Sequence, residues 1–378
     1  MNYIELFSMI RNYNYYRQFD KSKKIYEKFN QLIPKNNIYL QNKFLNEYEI
    51  ACKKTFLESK PRNLQIVLFD KCNSNCIMCT QKNKKYNYSL SKEYINELFF
   101  LLPYLDTIMW QGGEVFLWDK FLSLIKHVSN YKQITQSIIT NFQAITENQI
   151  KCLSTINNLK LIISIDGSKK DIYEKIRVGS SFDKLLENIK TLNKYILRYK
   201  SNISTHINFV VMKENYKDIV NILSFAKENK FQSVTYVNCV ETKSYNNKMG
   251  SKEYFDINNL LNFATIKAVK DDIKINVEYP SLIFNKMQDL SIKKGTLICK
   301  IPWYKLLLAE DYSFAPECSC FKRFDYYDKN ISIDQMWNSD LMQNYRKHIL
   351  GIKSNMKICN SKCLYYASQY LDGMSINN

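Results

Sequence analysis

Three of the eleven cysteines, Cys72, Cys76 and Cys79, fall within eight residues in the stretch LFDKCNSNCIMCTQK, at the spacing C-x3-C-x2-C. A thiol becomes a ligand for soft metals once it is ionised, and three on one short loop point to a shared metal group. Zinc in a closed structural site takes four ligands, and no nearby His or Cys completes such a set. A 4Fe-4S cluster is held by Cys thiolates, and held by only three it leaves one iron open to a substrate or cofactor. A zinc knuckle or three structural thiols are the alternatives. Five more cysteines, Cys299, Cys318, Cys320, Cys359 and Cys363, gather beyond residue 290. Cys52, Cys152 and Cys239 are isolated in expected helix or strand and read as buried small apolar residues. His127, His206 and His348 show no ligand spacing and read as structural.

The elements that must position these groups follow from periodicity. Residues 1–60 carry apolar side chains at spacings of three and four, as in NYYRQFDKSKKIYEKFNQLI, which predicts a helical N-terminal region ending at Pro61. From residue 64 short apolar strands alternate with amphipathic helices. The strands are expected at 64–70, 106–113, 136–142, 159–167, 206–213 and 233–241. Strict strand–helix alternation predicts an α/β fold with a parallel sheet, here a partial (β/α)6 TIM-like barrel over 61–245 with its site at the C-terminal ends of the strands. Residues 246–290 read as a linker and one helix, and 291–378 as a small cysteine-bearing domain.

Other strand ends carry further polar groups. WQGGEVFL places Gly112, Gly113 and Glu114 after the second strand, where two glycines let the backbone approach a ligand closely and the carboxylate accepts a charge-assisted hydrogen bond. IITNF ends the third strand at Asn141. The fourth ends at Ser164 and Asp166, whose hydroxyl and carboxylate suit sugar hydroxyls. Arg177 can pair with a carboxylate.

The cysteine spacing after the first strand resembles the signature of the radical S-adenosylmethionine (radical SAM) enzymes. The resemblance implies a 4Fe-4S cluster on Cys72, Cys76 and Cys79, whose open iron is chelated by the amino and carboxylate groups of S-adenosylmethionine. An electron from the cluster would cleave the sulfonium to a 5'-deoxyadenosyl radical. Gly112, Gly113 and Glu114 resemble the family's GGE motif, and Asn141 its T-N-G, with Phe142 in place of the Gly. Met78 stands where an aromatic residue is usual and would pack against the adenine. ISIDGSKKDIYEKIRVGSSFDKLLENI, with Ser164, Asp166, Gly167, Arg177, Gly179 and Phe182, is similar to a stretch of one branch of the family. There Ser164 and Asp166 would bind the ribose, and Arg177 the methionine carboxylate.

The C-terminal region resembles that branch's SPASM or twitch extension. It matches in the C..PW opening, the Pro-x-Cys after a hairpin, the MWNS helix and the closing C-x3-C. Five cysteines favour the twitch form with one auxiliary 4Fe-4S cluster, held by Cys299, Cys359, Cys363 and either Cys318 or Cys320, with spacing favouring Cys318. Tyr312-Ser313 stands where the hairpin usually has Gly.

The formal charge of +18 comes from lysines scattered among Asn, Ile and Tyr, without the runs or stripe of a nucleic-acid face, so it reads as a solvated surface. No apolar run is long enough to span a membrane, and the N-terminus lacks a signal-peptide pattern; a reducing cytoplasm is expected. The expected function is hydrogen abstraction from an unidentified peptide, protein or sugar-like metabolite, with net oxidation or modification, and with flavodoxin or ferredoxin as electron donor. The alternative is a non-catalytic zinc scaffold or a nucleic-acid-binding protein. Helices rather than strands over 1–60 lean away from a leader-peptide substrate, and Ser319 after Cys318, where some relatives have Asp, leans away from sulfatase maturation.

Overall fold

The computed structural model of the chain describes residues 2–80, 87–239, 241–242, 245–278, 298–309, 311–317, 320 and 331–352. They form two compact units: Met1–Ile66 with Leu90–Ile108 and Lys286–Asn378, and Val67–Ser89 with Met109–Asn285.

The first unit opens with the expected helical region: α1 (Tyr3–Tyr15), α2 (Phe19–Phe29) and α3 (Ile38–Ala51). Asn2 and Glu5 form a capping box on α1, and Asn37 caps α3 through the Leu40 N–H, so polar residues at the starts fix where these helices begin. Leu6 and Ile10, one turn apart, meet Ile33 and Phe44 in a buried cluster. The same unit holds β1 (Asn63–Val67), α4 (Lys92–Leu101), β8 (Lys305–Leu308) and β9 (Phe314–Ala315), with β8 parallel to β1 and antiparallel to β9. Two short helices, Ile333–Trp337 and Asp340–Leu350, complete its described part.

The two ends of the chain share this core. The buried carboxylate of Glu47 accepts from Lys300 Nζ at 3.1 and 3.2 Å and from Asn14 Nδ2 at 2.9 Å. Buried Arg346 stacks on Trp337 and donates to the carbonyls of Pro302, Thr55 and Trp337.

In the second unit the last residues of β2 (Thr107–Gln111) lie beside β3 (Thr135–Thr140), followed in order by β4 (Leu159–Ser164), β5 (Ser204–Val211), β6 (Ser233–Asn238) and β7 (Lys274–Glu278). Strands β3 to β7 are parallel. Helices α5 (Phe121–Val128), α6 (Glu147–Leu153), α7 (Lys170–Ile176), α8 (Phe182–Tyr199), α9 (Asn221–Glu228) and α10 (Ser251–Asp271) alternate with them. Along β5, Ile207, Phe209 and Val211 are buried while His206, Asn208 and Val210 are half-buried, so one face is covered and the other is partly open.

One strand departs from the sequence reading: the segment expected as linker and helix contains α10 but also β7. The hairpin expected in the C-terminal region is formed by β8 and β9, and its pairing with β1 was not anticipated. β7 is the last strand of its sheet, with Lys274 and Asn276 exposed, so it lacks the buried alternation that marks inner strands. Cys52 and Cys152 are half-buried rather than buried; Cys239 is buried. Among the described residues no helix is long and apolar enough to cross a membrane.

Candidate active site

The cysteine loop, the GG turn, Asn141, Ser164, Asp166 and Arg177 lie in the second unit, on the loop after β1, at or just beyond the C-terminal ends of β2, β3 and β4, and at the end of α7. Backbone hydrogen bonds hold the cysteine loop on two sides. On one, the Gly113 and Glu114 N–H groups donate to the carbonyls of Phe69 and Lys71 at 2.9 and 2.8 Å. On the other, the Asn75 and Ile77 N–H groups donate to Val178 and Ile176 at 2.7 and 3.0 Å. The loop and the GG turn touch so closely that a Cβ on Gly113 would stand 2.0 Å from the Lys71 carbonyl oxygen, and one on Gly112 2.6 Å from that of Phe69. Only glycine permits that approach.

Glu114 is buried, and both its carboxylate oxygens are occupied. Oε1 accepts from Thr140 Oγ1 at 2.6 Å and from the Phe116 N–H at 3.3 Å, and Oε2 accepts from the Asn141 N–H at 2.7 Å. Burial pushes its carboxyl above the usual range, against those hydrogen bonds. The residue thus ties the GG turn to the end of β3. There Phe142, fully buried, adopts φ +58°, the left-handed backbone that favours glycine. It is kept there by Thr140 Oγ1, which accepts from its N–H at 2.8 Å, and by Asn188 Nδ2, which donates to its carbonyl at 2.8 Å.

Two side chains reach the thiols. Asn141 Nδ2 lies 3.7 Å from Cys72 Sγ and donates to Asn73 Oδ1 at 2.9 Å and Ser74 Oγ at 3.1 Å. Arg177, the C-cap of α7, places Nη1 3.7 Å from Cys76 Sγ and Nη2 2.6 Å from Asp166 Oδ2; Asp166 Oδ1 accepts from the Val210 N–H at 2.7 Å. Asp166 and Arg177, assigned separate roles from the sequence, are therefore an ion pair beside Cys76. Burial works against the Arg177 charge, but Asp166, Cys76 and Tyr173 together outweigh it and hold the guanidinium above its usual pKa. Ser164 is buried at the end of β4. Met78 packs into an apolar cluster with Ile176, Met212, Cys239 and Tyr245.

Cys76 is buried, Cys79 half-buried and Cys72 exposed. Desolvation pushes Cys72 up to about 11, the nearby Glu114, Cys76 and Cys79 adding to it; burial also raises Cys76, with Arg177 opposing. Without a metal Cys72 and Cys76 are thiols at neutral pH, so binding one releases protons. Three sulfur donors on one strapped loop are the ligand type that an iron–sulfur cluster takes.

Sequence reasoning passed over the supporting polar groups. Ser74 Oγ and Ser180 Oγ are 2.8 Å apart and join the loop to the turn after α7. Buried Asn215 donates to the carbonyls of Asp166 and Val210 at 3.0 and 2.8 Å. The loop's interior polar residues, Asn73 and Ser74, are the signal that could have found the first group; Asn215 had none. Of the second cysteine set, Cys299 and Cys320 are half-buried in the first unit, whereas Cys318, Cys359 and Cys363 lie outside the described residues. Tyr312, at the hairpin position where Gly was expected, has φ +58°.

Comparison with known proteins gives a family. Residues 66–226 match the model of the Radical SAM superfamily. The chain is 25% identical over 275 residues, 67% of its length and 70% of the relative's, to the cysteine-type anaerobic sulfatase-maturating enzyme of Clostridium novyi (strain NT). It is 27% identical over 176 residues to the GTP 3',8-cyclase of Clostridium perfringens (strain 13 / Type A), spanning 44% of this chain and about half, 52%, of that one. Among solved structures, Streptococcus suis SuiB superposes with a TM-score of 0.66 at 17% identity, covering 91% of this chain and 89% of that one. The enzyme anSMEcpe with bound AdoMet and Cp18Cys peptide gives a TM-score of 0.55 at 19% identity, covering 84% and 96%. These structural likenesses establish the parallel α/β fold. The segment matched by the family model contains the strapped cysteine loop, the GG turn and the Asp166–Arg177 pair together, and so residues 66–226 form a Radical SAM domain, the domain of enzymes that use a 4Fe-4S cluster and S-adenosylmethionine.

Proposed function

We propose that the enzyme modifies a peptide or protein in a reducing cytoplasm. Cys72, Cys76 and Cys79 hold the 4Fe-4S cluster, and Gly112, Gly113, Asn141, Ser164, Asp166 and Arg177, with Met78, form the surroundings of S-adenosylmethionine. The carrying observation is the cysteine loop itself, three thiols on a segment strapped by backbone hydrogen bonds to the GG turn and to the end of α7. When bound, the cluster and S-adenosylmethionine supply one electron and a 5'-deoxyadenosyl radical that takes a hydrogen atom from the substrate.

The chain's own groups set the stage for that step. The loop's anchors keep the three sulfurs on one rigid arc, and Arg177 and Asn141 each place a donor near a sulfur, which lowers the electron density there. The carbonyls around Gly112 and Gly113 can accept from an ammonium group because no side chain intervenes. Glu114 positions that turn from behind. Cys299, Cys359 and Cys363 with Cys318 are assigned to one auxiliary 4Fe-4S cluster, and flavodoxin or ferredoxin to electron delivery. The peptide class is supported by the sulfatase-maturating relative and by the peptide complexes of SuiB and anSMEcpe.

The test is anaerobic reconstitution followed by incubation with dithionite, S-adenosylmethionine and short peptides. Brown, iron-rich protein that forms 5'-deoxyadenosine, with a peptide losing a pair of hydrogens, is the expected result, and Cys76→Ala abolishes all three. A colourless zinc protein overturns the enzyme reading. Stimulation of 5'-deoxyadenosine formation by small alcohols and by no peptide overturns the substrate class alone.

A further inference from the structure

The opposite end of the same sheet holds charge that the fold leaves uncompensated. At the N-terminal ends of β4 to β7 lies a cleft of about 850 Å³. Lys160 enters from β4, His206 from β5, Ser233 from β6 and Lys274 from β7, with Lys230 just beyond α9. Strand register makes this a row: His206 is paired with Ser233, and Ser233 with Lys274. Two acids, Asp271 and Asp272, also line the cleft. Asp271 is already shared by Lys227 and Lys267, each at 2.7 Å. Lys160, Lys230, Lys274 and Asp272 form no ion pair among the described residues, which leaves three positive charges against one negative.

His206 carries a second sign of an absent partner. Its Nδ1 is hydrogen-bonded to Ser233 Oγ, while its Nε2 is buried and has no hydrogen-bond partner. Burial, together with the charges of Lys160 and Lys274, pushes its pKa down to about 4. Like charges crowd this ring, and a bound anion relieves that cost.

We propose that this cleft, remote in the sheet from the cysteine loop, binds a small molecule bearing phosphate or polyphosphate. Separate lysines arriving from β4, α9 and β7 suit a multivalent oxyanion, which meets several point charges at once, rather than a lone carboxylate, which is matched best by one planar guanidinium. The volume admits a group larger than one phosphate.

Calorimetric titration of the full chain at low salt with inorganic phosphate, tripolyphosphate and metal-free adenosine triphosphate tests this. Saturable binding that tightens from phosphate to tripolyphosphate and weakens with added salt is expected. Tighter binding of the nucleotide than of tripolyphosphate identifies a nucleotide as the source; equal affinity identifies the bare phosphate chain; either supports the site. Lys160→Met with Lys274→Met should weaken tripolyphosphate at least tenfold and leave reconstituted iron content unchanged. Lys230→Glu, at an exposed position, serves as the second variant should the pair fail to fold. The His206 ring protons, resolvable among three histidines, should titrate at least one pH unit higher in saturating tripolyphosphate. Absence of saturable heat with all three anions, or unchanged affinity in the folded lysine variants, overturns the proposal.

Discussion

Replacing Gly113 by Ala tests how the cysteine loop is held. The new methyl would stand 2.0 Å from the Lys71 carbonyl oxygen, 2.3 Å from its carbon and 2.9 Å from the Asp70 carbonyl carbon, all backbone atoms with no rotamer to change. Clearing 3.0 Å, below which such contacts essentially do not occur, moves the loop by about 1 Å. That motion breaks the Gly113–Phe69 and Glu114–Lys71 hydrogen bonds. Two such bonds at about 1 kcal/mol each, with overpacking of about 1–3 kcal/mol, give a loss of about 3–5 kcal/mol. Because the strap carries the three thiols, cluster assembly should fall with stability. Iron content and visible absorbance after anaerobic reconstitution read the first, calorimetric melting the second. Gly250→Ala is the control: its methyl would meet only the flexible end of Glu253 at 2.9 Å, so the cost should not exceed that of a poorer N-cap on α10, about 1 kcal/mol, and should leave iron content unchanged. A Gly113→Ala protein with full iron content and an unchanged melting temperature would refute the reasoning.

Arg346→Met should destabilise the first unit by about 3–5 kcal/mol, because the buried carbonyls of Pro302, Thr55 and Trp337 lose their donor; Arg346→Lys should restore only part, lacking the fork that reaches all three. Differential scanning calorimetry ranks the three proteins, and a Lys variant as stable as the parent contradicts the geometry. Lys200 ends α8 with φ +49° and is exposed, so Lys200→Gly should raise stability by about 1 kcal/mol in urea titration. His206, its pKa lowered to about 4, is neutral when folded but binds a proton below about 6.5 when unfolded. Its contribution is present above pH 6.5 and is lost as pH falls from there towards 4, by about 1–2 kcal/mol after allowing for solvent screening. In His206→Asn the melting temperature should fall less over that interval, and parallel curves would exclude His206 as the source.

Much of the site was legible because its residues are local in sequence. Cys72, Cys76 and Cys79 share one loop, and Gly112, Gly113 and Glu114 one turn, so a short stretch of sequence singles them out and the family resemblance supplies the roles expected of them. The alternation of strand and helix likewise needs only neighbours three or four residues away, which is why the strands from β1 to β6 were found. β7 was missed because an edge position leaves too little periodicity to register, and the pairing of β8 with β1 because a partner so far along the chain leaves no local pattern. Tyr312 and Phe142 were visible as departures from glycine, but that each takes up the left-handed backbone is a tertiary outcome. For Phe142, a buried ring and hydrogen bonds from Thr140 and Asn188 outweigh the local steric cost.

What the sequence determined by itself is the donor set: three thiols at C-x3-C-x2-C after a strand, with a glycine pair and polar residues at later strand ends. Tertiary structure decided what those donors touch. It turned Glu114 inward as a tie between β2 and β3, joined Asp166 to Arg177 beside Cys76, and brought Lys300 to Glu47 across 253 positions of chain. The physical reason is range. Ligand type and helix or strand periodicity are properties of a few consecutive residues, whereas the partner of a buried charge is chosen by whichever distant group desolvation and packing bring within hydrogen-bonding distance.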